Sequence, residues 1–151
     1  MDIQAVEKAK QHWQTAADLM PQLICLMDEE GRLLRVNRTM EWWELGDVVS
    51  ARGRDLHPIL HPGCVDPACY FTRFWQDATL ARLEGRRSEI EVFDAVLNRY
   101  LAILVQPLVL RQHDQKFAAE DLHTIVILDD VSDLKEAEAV VRRRNEELAN
   151  Q

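Results

Sequence analysis

The apolar residues fall into strand-length runs in two groups, and the stretch between those groups is helical and irregular. In the first group, Leu23–Met27 and Arg32–Val36 flank the acidic turn Asp28-Glu29-Glu30-Gly31. Gly31 can take the positive φ such a turn needs, so a β-hairpin is predicted. In the second group, Arg86–Leu97, Arg99–Leu110 and Leu122–Leu128 are rich in Ile, Val and Leu, with Asn98 and the polar insert Arg111–Asp121 between them. They predict an antiparallel meander with one face packed inward. One sheet can unite both groups only by pairing strands that lie far apart in the chain. The expected class is therefore α+β: a five-stranded antiparallel sheet with short helices on one face, flanked by N- and C-terminal amphipathic helices.

Residues 1–20 form the first of these helices, with Ile3, Val6, Ala9, Trp13, Ala16 and Leu19 at three- and four-residue spacing and Pro21 as the stop. The stripe suits docking or dimerisation; a membrane-surface helix would carry more basic residues. Asn37 is placed to cap a helix over Arg38–Leu45 that Gly46 ends. Asp47–Ala68 reads as irregular. A helix then follows from Cys69, with Tyr70, Phe71, Phe74, Trp75, Ala78, Leu80, Ala81 and Leu83 as its apolar face and Gly85 as its stop. Ser132 is the expected N-cap of the last helix. Along that helix Leu134, Val141 and Leu148 recur at seven-residue spacing with Ala137 between them, a short coiled-coil stripe interrupted by Arg144. The organisation read from the sequence is an N-terminal helix (1–20), a central domain (21–132) and an outgoing helix (133–151).

Composition narrows the function. The 151 residues carry a net charge of −8, which argues against a nucleic-acid surface. The Arg142-Arg143-Arg144 run sits among Glu136, Glu138, Glu146 and Glu147, as on a solvated coiled-coil flank. No apolar run approaches the roughly 20 residues of a membrane helix. The start has no signal-peptide pattern, so a cytoplasmic location with reduced thiols is expected. The odd count of three cysteines fits that. Phosphate-loop, dinucleotide, zinc-protease and nucleophile-elbow motifs are absent, so a regulatory domain is expected rather than an enzyme.

One segment is chemically unusual. His57, His61, Cys64 and Cys69 form an H-x3-H-x2-C-x4-C arrangement in a loop stiffened by Pro58, Pro62 and Pro67. Imidazole nitrogen and thiolate sulfur are the donors tetrahedral Zn²⁺ takes. Three readings stand side by side: a metal site, a redox-sensitive thiol pair with Cys69 at a helix start, and ordinary packing and solvation. Cys25, within a strand, reads as core. Trp42, Trp43, Phe74 and Trp75 either line a ligand cavity facing the sheet or fill the core.

The hairpin with its Asp-Glu-Glu-Gly turn followed by Val36-Asn37, the helix ending in Leu83-Glu84-Gly85 before a strand, the three-strand meander, and the triplet Asp130-Val131-Ser132 together resemble a PAS domain over roughly Ala17–Asp133. The resemblance implies a sensory module that binds a small ligand or a partner. It further implies transmission of its state, with Asp130 and Ser132 at the hand-over, to an attached effector such as a histidine kinase or a diguanylate cyclase. A homodimer through the terminal helices is expected. The cofactor stays unknown: Ala68-Cys69-Tyr70-Phe71 lacks the Asn and Arg of the flavin-binding LOV motif, and an isolated His is a weak haem signal.

Overall fold

Asp28 makes the first turn. Its Oδ1 accepts the N–H groups of Glu30 at 2.9 Å and Arg32 at 3.0 Å, while Gly31 takes φ 83°. The structure, a computed structural model, describes residues 3–109 and 122–150, so the insert Arg111–Asp121 lies outside the described residues. Its elements are α1 (Ile3–Asp18), β1 (Leu23–Met27), β2 (Leu33–Val36), α2 (Thr39–Trp42), α3 (Leu56–Leu60), α4 (Tyr70–Leu83), β3 (Ser88–Asp94), β4 (Arg99–Val109), β5 (Leu122–Asp130) and α5 (Ser132–Ala149). The strands form one five-stranded sheet in the order β2-β1-β5-β4-β3, antiparallel throughout. The non-local closure expected from the sequence is made by β5, which pairs with β1 from Leu23↔Leu128 to Met27↔Thr124.

The core lies between one sheet face and the helices α3 and α4. Alternate residues Leu23, Cys25 and Met27, Leu101, Ile103 and Val105, and Val126 and Leu128 point inward, meeting Leu56, Ile59, Leu60, Phe71, Phe74 and Ala78. Burial pushes the Cys25 thiol up to about 12, so it stays a neutral packing group. Gly85 at φ 73° closes α4, with Arg86 N–H on the Ala81 carbonyl and Gly85 N–H on that of Arg82.

Three local expectations are corrected. α2 is one turn long rather than reaching Leu45, because Glu44 enters the left-handed region at φ 59°. The segment expected to be irregular contains α3. On α4 the inward stripe is Phe71, Phe74, Ala78 and Arg82, leaving Leu80 63% and Leu83 54% exposed. Buried Arg82 donates to Thr124 Oγ1 at 3.3 Å and lies 5.6 Å over the Trp75 ring.

Asn37 also acts otherwise than as a helix cap. The cap position of α2 is Arg38 and no side chain caps it. Fully buried Asn37 instead accepts the Ile24 N–H at 2.9 Å and donates to the carbonyls of Ala17 at 2.7 Å and Gln22 at 2.8 Å. It thereby ties the end of α1, the start of β1 and the end of β2 together. Replacing it by Ala strands one donor and two acceptors. Asn37→Ala is therefore expected to lower stability by about 3 kcal/mol, read as a drop in the urea midpoint at constant m-value.

Candidate functional site

The sequence places His57 on the first turn of α3 and His61 just beyond its end, and the His61 N–H donates to the His57 carbonyl at 2.8 Å. A four-residue helical step brings both imidazoles to one side. Gly63, at φ 71°, then turns the chain, and the Cys64 N–H bonds back to the His61 carbonyl at 3.1 Å. Cys69 occupies the residue preceding α4. The outcome is convergence: ligand atoms of His57, His61, Cys64 and Cys69 all lie within 4.8 Å of one another. Cys69 Sγ is 3.5 Å from His57 Nε2 and 3.4 Å from His61 Nδ1.

Behind the cluster stands Asp94, the buried last residue of β3. Its Oδ2 takes His61 Nε2 and the Tyr70 hydroxyl, each at 2.5 Å, and its Oδ1 accepts the Leu97 N–H at 2.9 Å. Asp94 thus holds His61 Nε2 as a donor and leaves Nδ1 facing Cys69 with its lone pair.

The electrostatics favour ligand-ready forms. Burial, with the neighbouring His61 adding to it and Asp94 opposing, holds the His57 imidazole below its ordinary pKa and thus neutral near pH 7. For Cys69, burial acts upward but is outweighed by the N–H groups of Thr72 and Phe71 at the start of α4, by His61 and by Cys64, so the thiol ends below its ordinary value. Burial raises the Tyr70 hydroxyl, and Asp94 raises it further, so it remains a donor.

The aromatics proposed as a ligand pocket do not converge. Trp75 stacks on Phe71 at 5.8 Å and lines a cleft of about 340 Å³ with Gly31, Leu56, His57 and Pro58. Phe74 is in the core and borders a separate hollow with Tyr70 and Ile90. Trp43 covers Arg99, whose guanidinium lies 4.8 Å from its ring, and Trp42 is 57% exposed. Adjacent helical positions diverge by about 100°, so the two Trp cannot share a wall.

At the C-terminal end of β5, at the same end of the sheet as Asp94 and Arg99, the chain runs directly into α5. Asp130 Oδ2 accepts Arg99 Nη1 at 2.6 Å and Asp130 Oδ1 accepts the Ser132 N–H at 2.9 Å. Ser132 is the first helical residue, not the cap, which is Val131. Its Oγ accepts the Tyr100 N–H at 3.0 Å, and the Val131 N–H reaches the Tyr100 carbonyl at 2.8 Å. Lys135 on the first turn bridges to Glu91 of β3 at 3.0 Å. Asp94, Tyr70 and Arg99 were not singled out from the sequence. Each looks like an ordinary strand-end or helix-start residue until the α3–α4 connection packs on the end of β3 and the β4–β5 register brings Arg99 beside Asp130.

Over 93% of this chain and 98% of theirs, the coordinates match the PAS domain of Bordetella pertussis BvgS, with a TM-score of 0.54 at 18% identity. A PAS domain from Colwellia psychrerythraea matches over 83% of this chain and 98% of its own, with a TM-score of 0.55 at 15% identity. The chain adopts the PAS fold. A third PAS-like neighbour is the photoactive yellow protein domain of the sensor histidine kinase Ppr from Rhodospirillum centenum, covering 78% of this chain and 92% of that one at TM-score 0.52 and 14% identity. No protein-family model matches the sequence, and neither does any curated protein. In this PAS fold no helix among the described residues is long and apolar enough to cross a membrane.

The exit junction generates a pH prediction. Partial burial acts to raise the Asp130 carboxyl, but Ser132 and Arg99 outweigh it and hold it below the ordinary carboxylate value. The folded value lies below the unfolded one, so the stabilisation is complete above the ordinary carboxylate range and is lost as pH falls through the depressed value. Amide protection of Val131 and Ser132 should therefore fall on that acid limb. In Asp130→Asn it should be low and flat across it, as hydrogen exchange followed residue by residue would show.

Proposed function

We propose that this chain is a sensory input domain of the PAS type, cytoplasmic and regulatory rather than catalytic, which controls an effector such as a histidine kinase or a diguanylate cyclase. The observation that carries this reading is the junction at Asp130 and Ser132. A central strand of the sheet passes into an outgoing helix with one residue between them, and the first turn of that helix is bonded to β4 and β3. A shift of the strand by a fraction of a residue rise is therefore transmitted to α5, since helices are stiff over such lengths. The input on this reading is a small molecule or a partner protein. The cleft beside Trp75, at about 340 Å³, is at the small end of the range for ligand pockets.

α5 itself supports a paired arrangement. None of its residues is buried, and Leu134, Val141 and Leu148 are 54%, 58% and 59% exposed. An apolar stripe on a helix otherwise full of charge suits a partner helix, and a second copy of the same helix supplies the same stripe. Homodimerisation through the terminal helices follows on this reading. Convergence of His57, His61, Cys64 and Cys69 favours a second reading of the same domain, in which loop 57–69 is the sensing element for a metal or for oxidants.

Two measurements test the proposal. Sedimentation should give a dimer that Val141→Glu shifts toward monomer without changing the fold, since that side chain is exposed; a wild-type monomer at high concentration would sink the dimer. A chimera joining α5 in heptad register to a histidine-kinase core should change its autophosphorylation severalfold on Asp130→Asn or Arg99→Ala. Output indifferent to both substitutions would remove the role of the junction.

A further inference from the structure

We infer that His57, His61, Cys64 and Cys69 form a closed, four-coordinate site for one zinc-class divalent cation, with Asp94 as the positioning residue that orients His61. The inference deepens the second reading above, naming the metal class and geometry, and stands independently of the junction reading, since a structural metal would sit in the fold whether or not the domain signals through α5.

The donor set is the first ground. Two imidazole nitrogens and two sulfurs are what tetrahedral Zn²⁺ binds, and oxygen-seeking cations such as Mg²⁺ and Ca²⁺ would find no carboxylate among the four. The second is distance. With Zn–N of about 2.05 Å and Zn–S of about 2.3 Å, a tetrahedron sets its N···S edges at about 3.6 Å. The edges from Cys69 Sγ are 3.5 Å to His57 Nε2 and 3.4 Å to His61 Nδ1. These two edges already fit, and the widest separation among the four donors, 4.8 Å at most, would have to shorten by about 1 Å to reach the S···S edge of about 3.8 Å.

The third ground is the outer shell. Metal-bound imidazoles usually donate their remaining N–H to a carboxylate or a carbonyl, which fixes the tautomer and the ring plane. Here His61 gives Nε2 to Asp94, a residue with no exposed surface, and Asp94 is in turn held by the Tyr70 hydroxyl and the Leu97 N–H. That arrangement aims Nδ1 at Cys69. A histidine merely filling the core would not need a buried carboxylate behind it. The fourth ground is the backbone, which delivers the donors from both sides of one turn: His57 and His61 from α3, and Cys64 and Cys69 from the segment that leads through Gly63 to α4. Four protein donors leave no open position for water or substrate, so the site is structural or sensory rather than hydrolytic.

Elemental analysis of the full chain, purified without chelators, should find about one equivalent of zinc per chain. The metal-free protein titrated with Co²⁺ should develop the intense visible bands of tetrahedral cobalt together with thiolate-to-cobalt charge transfer. Cys64→Ser is the cleanest variant, because Cys64 is half-buried and takes no part in the core. It should cut the charge-transfer intensity by about half, and Cys64→Ser with Cys69→Ser should abolish it. Asp94→Asn should keep the spectrum but weaken affinity about 10–100-fold, provided circular dichroism shows the variant folded. The inference is overturned by sub-stoichiometric zinc together with a six-coordinate cobalt spectrum, by a cobalt spectrum that Cys64→Ser leaves unchanged, or by a Cys64–Cys69 disulfide in protein incubated with zinc. None of these results bears on the kinase chimera, so failure here and failure of the sensory reading are told apart.

Discussion

The pairing of β5 between β1 and β4 is the interaction on which the rest of the molecule depends. β1 and β5 are neighbours in space but sit at opposite ends of the domain in sequence, and closing so long a loop has an entropic cost that local structure cannot offset. Burial offsets it. Thr124, Val126 and Leu128 are fully buried on the inner face of β5, against Cys25 and Met27 on one side and Ile103 and Val105 on the other. Each large apolar side chain so buried contributes about 1.5–3 kcal/mol. The same strand ends in Asp130, so the pairing that closes the sheet also sets where α5 begins.

Polar groups inside the fold stand at its joints. Asn37 joins α1 to the first hairpin, Asp94 joins the α3–α4 connection to the meander, and Arg82 joins α4 to β5 through Thr124. A buried hydrogen-bonding group adds little net stability but is costly to leave unpaired, so such groups specify which segments meet more than how strongly they hold. Arg82 is the partial exception: its Nε has no partner among the described residues, and burial lowers its pKa, with Asp28 opposing.

The His/Cys cluster and the outgoing helix are connected by a short series of observed contacts. His61 bonds to Asp94, Asp94 lies opposite Arg99 in the β3–β4 register, Arg99 pairs with Asp130, and Asp130 accepts the first N–H of α5. Both ends therefore bear on the same β3–β4 turn, where Asn98 takes φ 54°.

The sequence by itself determined the strands, the long helices and the sheet class, but not α3. Strand-length apolar runs gave the strands, three-four spacing gave α1, α4 and α5, and Gly31, Gly85 and Asn98 marked turns where positive φ is needed. All of these signals are local, carried by residues a few positions apart. The His/Cys cluster was legible too, because His57 to Cys69 span a short loop. Tertiary structure decided everything that depends on which strand lies beside which. Asp94 met His61 and Tyr70 only because the α3–α4 connection packs on the end of β3, and Asp130 met Arg99 only through the β4–β5 register; periodicity leaves both open. It also overrode local preference: Asn37, well suited to cap α2, was taken up by the Ile24, Ala17 and Gln22 backbone. Arg82 took an inward place on α4 that Leu80 and Leu83 were expected to fill, because helix phase was set by packing on the sheet and not by the hydrophobicity of single residues.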